Sequence, residues 1–147
     1  MLVCLGNICR SPLCEGILKK KIKERGLDWT VSSSGTSSWH AGDMADHRSI
    51  EVALKNGIDL SSFRSKQFTK EHLEEYDHIL TMDSSNYTNV LNLAKDEELA
   101  SKVSLLMNYA YPGKNMQVPD PYYYGGFDKV YEMMDLALER FLDRYGS

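Results

Sequence analysis

Cys4-Leu5-Gly6-Asn7-Ile8-Cys9-Arg10-Ser11, followed by Pro12, is the stretch that decides the fold. A short apolar run, Leu2 and Val3, leads into it, and a helical pattern leads out of it. Ser is a good N-cap and Pro suits the first helical position, where its missing N–H costs nothing, so a helix is expected to start at Ser11 and Pro12. Leu13, Ile17, Leu18 and Ile22 then recur at helical spacing up to Gly26, behind a basic last turn. A strand, a tight loop and a helix N-terminus in succession form the opening unit of a parallel α/β sheet. The same spacing has a chemical reading. Five residues between a thiol and a guanidinium let the backbone curl into a semicircle, with its N–H groups and the free amides of the helix start aimed inward, a concavity suited to a phosphate dianion. Gly6 relieves steric hindrance where an unusual dihedral is needed, and Asn7 tolerates the left-handed region. Arg10 can fork two phosphate oxygens. The positive field of the helix start and Arg10 favours Cys4 as a thiolate, to which Ser11 can donate its hydroxyl. By itself C-x5-R is a weak signal, and a buried Cys4 beside a solvated Arg10 is the bland alternative. Its position at a strand-to-helix junction with Gly6, Asn7 and Ser11 gives it a mechanism.

The rest of the chain continues the alternation. Further strands are expected near 29–33, 78–82 and 103–107, and helices near 48–56, 70–76, 85–93 and 127–145. In the last helix Phe127, Val130, Tyr131, Met134, Leu138, Phe141 and Leu142 recur every three or four residues and are read as core. With 147 residues, 42% hydrophobic and 26% charged, and no internal repeat or low-complexity linker, a single domain over 1–147 is expected. Seventeen basic against 21 acidic residues give a net charge of −4, which opposes an extended grip on nucleic acid but allows a small positive pocket. No apolar run reaches the roughly 20 residues a bilayer span needs, and the start has no secretory pattern, so a cytoplasmic protein without a membrane partner is expected. The three cysteines, Cys4, Cys9 and Cys14, crowd the first segment and read as reactive rather than as a stapling framework. His40, His47, His72 and His78 are not spaced with them like a zinc site, so no metal and no cofactor is expected.

The run VCLGNICRSP resembles the signature of the low-molecular-weight protein tyrosine phosphatases. The likeness continues through Ser34-Gly35-Thr36-Ser37 with Trp39, Ile79-Leu80-Thr81-Met82-Asp83 and Val118-Pro119-Asp120-Pro121-Tyr122-Tyr123. It implies a three-layer α/β/α fold of flavodoxin-like type, with a four-stranded parallel sheet of order 2-1-3-4 and the ligand at the carboxyl edge. It also implies a monomer that hydrolyses tyrosine-phosphorylated proteins or peptides through a cysteinyl phosphate on Cys4, with Arg10 holding the phosphate within residues 5 to 11. By the same likeness Asp120 is the general acid; without it, Pro-Asp-Pro reads as a turn. Trp39, Tyr122 and Tyr123 resemble the aromatic walls of the substrate cleft, although any one aromatic alone would be assigned to the core. Asn7 and Ser33, with Ser11, resemble the hydrogen-bonded supports of the loop, and Cys9 a second cysteine able to pair with the nucleophile. Asp83 falls on the same edge, and serves equally well as a helix cap.

Two departures stand out. Only three residues precede Cys4, where relatives usually have several more, so either the native start lies upstream of Met1 or the first strand is at its minimum. Phe63 stands before Arg64-Ser65-Lys66-Gln67 where relatives often carry His, so any support from that ring must be replaced. The rival readings are a protein arginine phosphatase, against which Ile8 and the paired tyrosines count, and a non-catalytic phosphate or phosphotyrosine reader. An arsenate reductase would need distal cysteines that this chain lacks.

Overall fold

The computed structural model describes residues 1–146. Strand β1 (Leu2–Cys4) leads into α1 (Arg10–Arg25), β2 (Ser33–Gly35) and α2 (His47–Lys55); α3 (Lys70–Glu75), β3 (Ile79–Thr81), α4 (Ser84–Leu91), α5 (Glu97–Ala100) and β4 (Val103–Leu105) follow. A 3₁₀ turn (Leu106–Asn108), α6 (Pro121–Tyr124) and α7 (Phe127–Tyr145) complete the chain. The four strands are all parallel, in the order β2-β1-β3-β4, and helices cover both faces of the sheet in a three-layer, flavodoxin-like α/β/α arrangement.

Strand periodicity assigns the two faces. Leu2, Cys4 and Leu80 join the core built on α1, α2 and α7, whereas Val3, Ile79 and Val103 join the smaller core with Leu73, Val90 and Leu99 from α3, α4 and α5. Both faces of the sheet are therefore dry, and the strands read as apolar runs instead of alternating ones. Ion pairs from Lys21 to Glu139 at 2.6 Å and from Arg25 to Asp143 at 3.0 Å clamp α1 to α7.

The helix bounds mostly follow the caps. Asp46, Thr69 and Asp83 each precede a helix; the Asp46 and Asp83 carboxylates accept from Arg48 N and Asn86 N, and Thr69 closes a capping box with His72. Gly26 ends α1 in the left-handed region at φ 68°. Three expectations shift. Helix α1 begins at Arg10, with Cys9 as its N-cap, so Ser11 lies inside the first turn and its hydroxyl is free for another partner. Strand β2 begins at Ser33, because Leu2 is paired with Ser33 and residues 29–32 lie before that register. Strand β4 stops at Leu105, where the chain tightens into the 3₁₀ turn. The short helices α5 and α6 are too brief for hydrophobic periodicity to reveal.

Candidate active site

The carboxyl end of β1 delivers Cys4 and the loop of residues 5–9 to the edge of the sheet, directly before the N-terminus of α1. What shapes the loop is the fate of its carbonyls. Thr36 N donates to Cys4 O and Ser37 N to Leu5 O, both at 2.9 Å, while Asp46 N donates to Ile8 O at 2.8 Å. Ser65 Oγ donates to Asn7 O at 2.6 Å and Ser49 Oγ to Cys9 O at 3.1 Å. With five carbonyls held by the surrounding scaffold, the peptide amides turn to the other side of the loop. Among the described residues Gly6, Ile8 and Cys9 donate their amides to no protein acceptor, and Asn7 N donates to the Cys4 sulfur at 3.2 Å. Asn7 has φ 57°, the left-handed turn expected of it.

Gly6 matters for a different reason from the one the sequence suggests, and Gly35 matters beside it. Gly6 does not have a positive φ; a Cβ there would come within 3.2 Å of the His40 ring. Gly35 supports the loop from below, and a Cβ on it would meet Leu5 O at 2.7 Å and Asn7 N at 3.0 Å.

A buried chain of polar groups runs behind the sulfur. Lys66 N donates to Asn7 Oδ1 at 2.9 Å, which fixes the amide so that Nδ2 donates to Ser11 Oγ at 2.7 Å and to Ser33 Oγ at 3.0 Å. Ser33 Oγ in turn donates to Glu15 Oε1 at 2.7 Å. The Ser11 hydroxyl accepts from Asn7 and lies 3.0 Å from Cys4 Sγ and 3.5 Å from Ser34 O, so its hydrogen can be given to the sulfur as the nearer acceptor. Ser65 and Lys66 thus support the loop from the segment after Phe63, both through Asn7.

Arg10 is 2% exposed. Its Nη1 donates to Asp83 Oδ2 at 2.8 Å and to Val118 O at 2.9 Å, and its Nη2 lies 3.7 Å from Asp120 Oδ2. Burial opposes its charge, but the Cys4 sulfur and the Asp83 and Asp120 carboxylates outweigh it and raise the guanidinium above its ordinary range. Asp83 serves both expected purposes, since its other oxygen caps α4 through Asn86 N at 2.8 Å. Asp120 caps α6 through Tyr122 N at 3.0 Å, so Pro119 and Pro121 flank a cap residue and not a mere turn.

These residues enclose a cavity of about 200 Å³ with Cys4, Gly6, Cys9 and Arg10 at its floor and Asp120, Trp39, Tyr122 and Tyr123 on its walls. Trp39 is 84% and Tyr123 72% exposed, an unusual state for large aromatics and one that fits a wall better than a core. Tyr122 and Tyr123 meet edge to face, with centroids 4.9 Å apart. Tyr124 is exposed and does not line the cavity. A larger cavity, about 640 Å³, lies at the opposite, amino end of the sheet near Trp29 and His78, and no cysteine lines it.

The structure also brings in residues that the sequence reading did not single out: His40 on the cavity wall, Glu15 behind Ser33, and Asp46, Ser49 and Ser65 as supports of loop carbonyls. Only Asp46 left a local trace, as an Asp directly before a helical pattern. Cys9 is 5% exposed and Cys14 fully buried; burial, the larger cause, and the neighbouring Cys4 raise both thiols well above the ordinary range, with Asp46 also acting on Cys9. Both are free thiols.

This arrangement sets a Cys-x5-Arg loop against the Asp120 carboxylate in one cavity, at the edge of a parallel α/β sheet. The chain belongs to the low molecular weight phosphotyrosine protein phosphatase family, whose profile matches residues 1–146. It is 41% identical over 143 residues to the low molecular weight phosphotyrosine protein phosphatase of Schizosaccharomyces pombe, covering 93% of this chain and 90% of that one. Among solved structures it resembles YfkJ from Bacillus subtilis, at 30% identity and TM-score 0.92, over 99% of this chain and 92% of that one. It also resembles a Drosophila arginine phosphatase, at 31% identity and TM-score 0.91, over 99% of this chain and 96% of that one.

Proposed function

We propose that the protein hydrolyses phosphotyrosine, and small aryl phosphates, through a covalent cysteinyl phosphate. The observation that carries this reading is the Cys4 sulfur, which accepts Asn7 N–H and lies 3.0 Å from Ser11 Oγ beside Arg10, with Asp120 lining the same cavity. The free amides of residues 6, 8 and 9 and the Arg10 fork hold the three equatorial phosphoryl oxygens. The Cys4 thiolate attacks phosphorus in line, the P–O(aryl) bond breaks, and the Asp120 carboxyl gives its proton to the departing phenolate. Water then attacks phosphorus, the Asp120 carboxylate takes a proton from it, the S–P bond breaks, and inorganic phosphate and the thiolate are restored. Every group is in place before substrate binds, so positioning and electrostatics supply most of the acceleration.

The exposed Trp39 and Tyr123 flank an aromatic ring at the mouth, and the depth of Cys4 selects a long phosphorylated side chain. We place the protein in the cytoplasm, acting as a monomer on tyrosine-phosphorylated proteins; its free thiols suit a reducing compartment, and none of its described helices is long and apolar enough to cross a membrane.

Turnover of 4-nitrophenyl phosphate tests the reading. Wild type is expected to hydrolyse it, and Cys4→Ser to bind phosphotyrosine peptide without turnover; a wild type that binds and never hydrolyses would make the protein a reader. The likeness to the Drosophila arginine phosphatase makes phosphoarginine the natural rival substrate. Ile8 in the loop and the Tyr122 and Tyr123 wall favour phosphotyrosine, and a higher kcat/KM on a phosphoarginine peptide than on its phosphotyrosine counterpart would reverse that assignment.

A further inference from the structure

Arg48 links the two halves of the site without facing the cavity. It lies on α2, where its Nε and Nη2 grip the two Asp46 oxygens, each at 3.0 Å. Asp46 N in turn donates to Ile8 O in the phosphate loop at 2.8 Å. On its other side Arg48 Nη2 donates to Tyr122 O at 3.2 Å, and its guanidinium lies over the rings of Phe127, at 4.7 Å, and Tyr122, at 5.6 Å. Tyr122 N completes the path by donating to Asp120 Oδ1 at 3.0 Å. A continuous set of contacts therefore runs from Ile8 through Asp46, Arg48 and Tyr122 to Asp120.

The pair is built to be stiff. The Asp46 side chain is 9% exposed, and a two-pronged grip by a planar guanidinium fixes orientation as well as distance. Burial alone would raise the Asp46 carboxyl, but the side-chain and backbone hydrogen bonds from Arg48 hold it below the ordinary carboxylate range. The segment it anchors needs such an anchor. Helix α6 has only four residues, ends at Gly125, and presents Tyr122, Tyr123 and Tyr124 to solvent, so little apolar burial holds it down.

We propose that Arg48 is the positioning residue for Asp120: its grip on Asp46 and on the Tyr122 carbonyl sets the acid's place relative to the phosphate loop. The inference rests on the reading of Asp120 as general acid. General acid catalysis is demanded most by a leaving group that departs poorly as an anion. Phenyl phosphate therefore depends on the placement of Asp120 far more than 4-nitrophenyl phosphate does.

The test compares kcat/KM for these two substrates in Arg48→Met, which keeps a long unbranched side chain but loses the fork, in Arg48→Lys, and in Asp120→Ala. Asp120→Ala is expected to lose on the order of 100-fold more on phenyl phosphate than on 4-nitrophenyl phosphate, and Arg48→Met about tenfold more. In the Asp120→Ala background Arg48→Met should add no further preference, because the two act through one group. Arg48→Lys keeps the charge without the fork, so it should resemble Met and also serves as the variant to read if Met fails to fold. Equal losses on both substrates in the Arg48 variants, alongside a selective loss in Asp120→Ala, would overturn the positioning role alone. A flat Asp120→Ala would overturn the acid reading and the positioning role with it.

Discussion

The Ser11 hydroxyl oxygen lies 3.0 Å from the Cys4 sulfur and accepts from the Asn7 amide at 2.7 Å, which leaves its hydrogen for an acceptor such as the sulfur. In the proposed mechanism that hydrogen goes to sulfur both when Cys4 attacks and when it leaves phosphorus.

The second of those steps should suffer most when the hydroxyl is removed. A hydrogen bond to a charged group contributes about 1.5–3 kcal/mol, so Ser11→Ala is expected to lower kcat roughly ten- to hundred-fold. Because the poorer leaving group is sulfur, cysteinyl phosphate should accumulate, and acid quench with mass spectrometry during turnover reads it. An unchanged kcat with no trapped intermediate would remove Ser11 from the mechanism.

The two glycines at Gly35 and Gly26 should separate loop shape from stability. At Gly35 an added methyl has no room, with Leu5 O at 2.7 Å, so Gly35→Ala displaces the loop and should cut kcat/KM on the order of 100-fold, the scale of a misplacement by about an ångström. Gly26→Ala meets no atom within 4 Å and suffers only from φ 68°, so it should cost about 1 kcal/mol of stability and leave kcat/KM alone. Equal activity in the two variants would show that the loop does not depend on Gly35.

How much of this was legible without coordinates differs from residue to residue. The parallel sheet is legible in the β1-loop-α1 unit and the alternating pattern, its strand order only in the family likeness, and α7 at Phe127–Tyr145 in nineteen residues of helical period that leave little ambiguity. The sequence offers Ser11 both as a donor to sulfur and as a helix cap, and the position of Cys9 at the cap decides between them. Asp83 was left with two readings and fulfils both. Arg48, Glu15 and Ser65 were invisible, because each acts through a contact across tens of residues of sequence that no local period encodes: 74 from Arg48 to Tyr122, 18 from Glu15 to Ser33 and 58 from Ser65 to Asn7.

Cys9 invites a redox prediction. Hydrogen peroxide should oxidise the Cys4 thiolate to a sulfenic acid, and attack by Cys9 sulfur should release water and form a Cys4–Cys9 disulfide before further oxidation. Burial keeps the Cys9 thiol protonated, which prevents it from competing for peroxide but slows the closure. Peptide mapping after mild peroxide should find the disulfide, with activity restored by dithiothreitol. A sulfonic acid on Cys4, with Cys9 untouched, would exclude this protection.

Stability should fall as pH drops from neutrality, and His72 gives the reason. Its Nδ1 accepts the Thr69 amide at 3.0 Å in the capping box of α3, so protonation there destroys the acceptor. Burial, then Lys66, holds the ring below the ordinary value of 6.5, and burial likewise lowers His78, whose ring packs on Phe141 and Tyr145. The unfolded chain therefore takes up protons first as pH falls. The contribution of both rings is complete above about 6.5 and is lost progressively as pH falls through their depressed folded values. Thermal melts from pH 7.5 to 5 should show the midpoint declining. His72→Gln should reduce the slope without lowering the midpoint at pH 5, because Gln at that position keeps a capping-box acceptor and does not titrate. The slope is reduced and not abolished, since His78 and the Met1 amino group, which burial lowers from 8.0 to about 5, remain; an unaltered slope in the variant would mean that the α3 cap plays no part in the acid sensitivity.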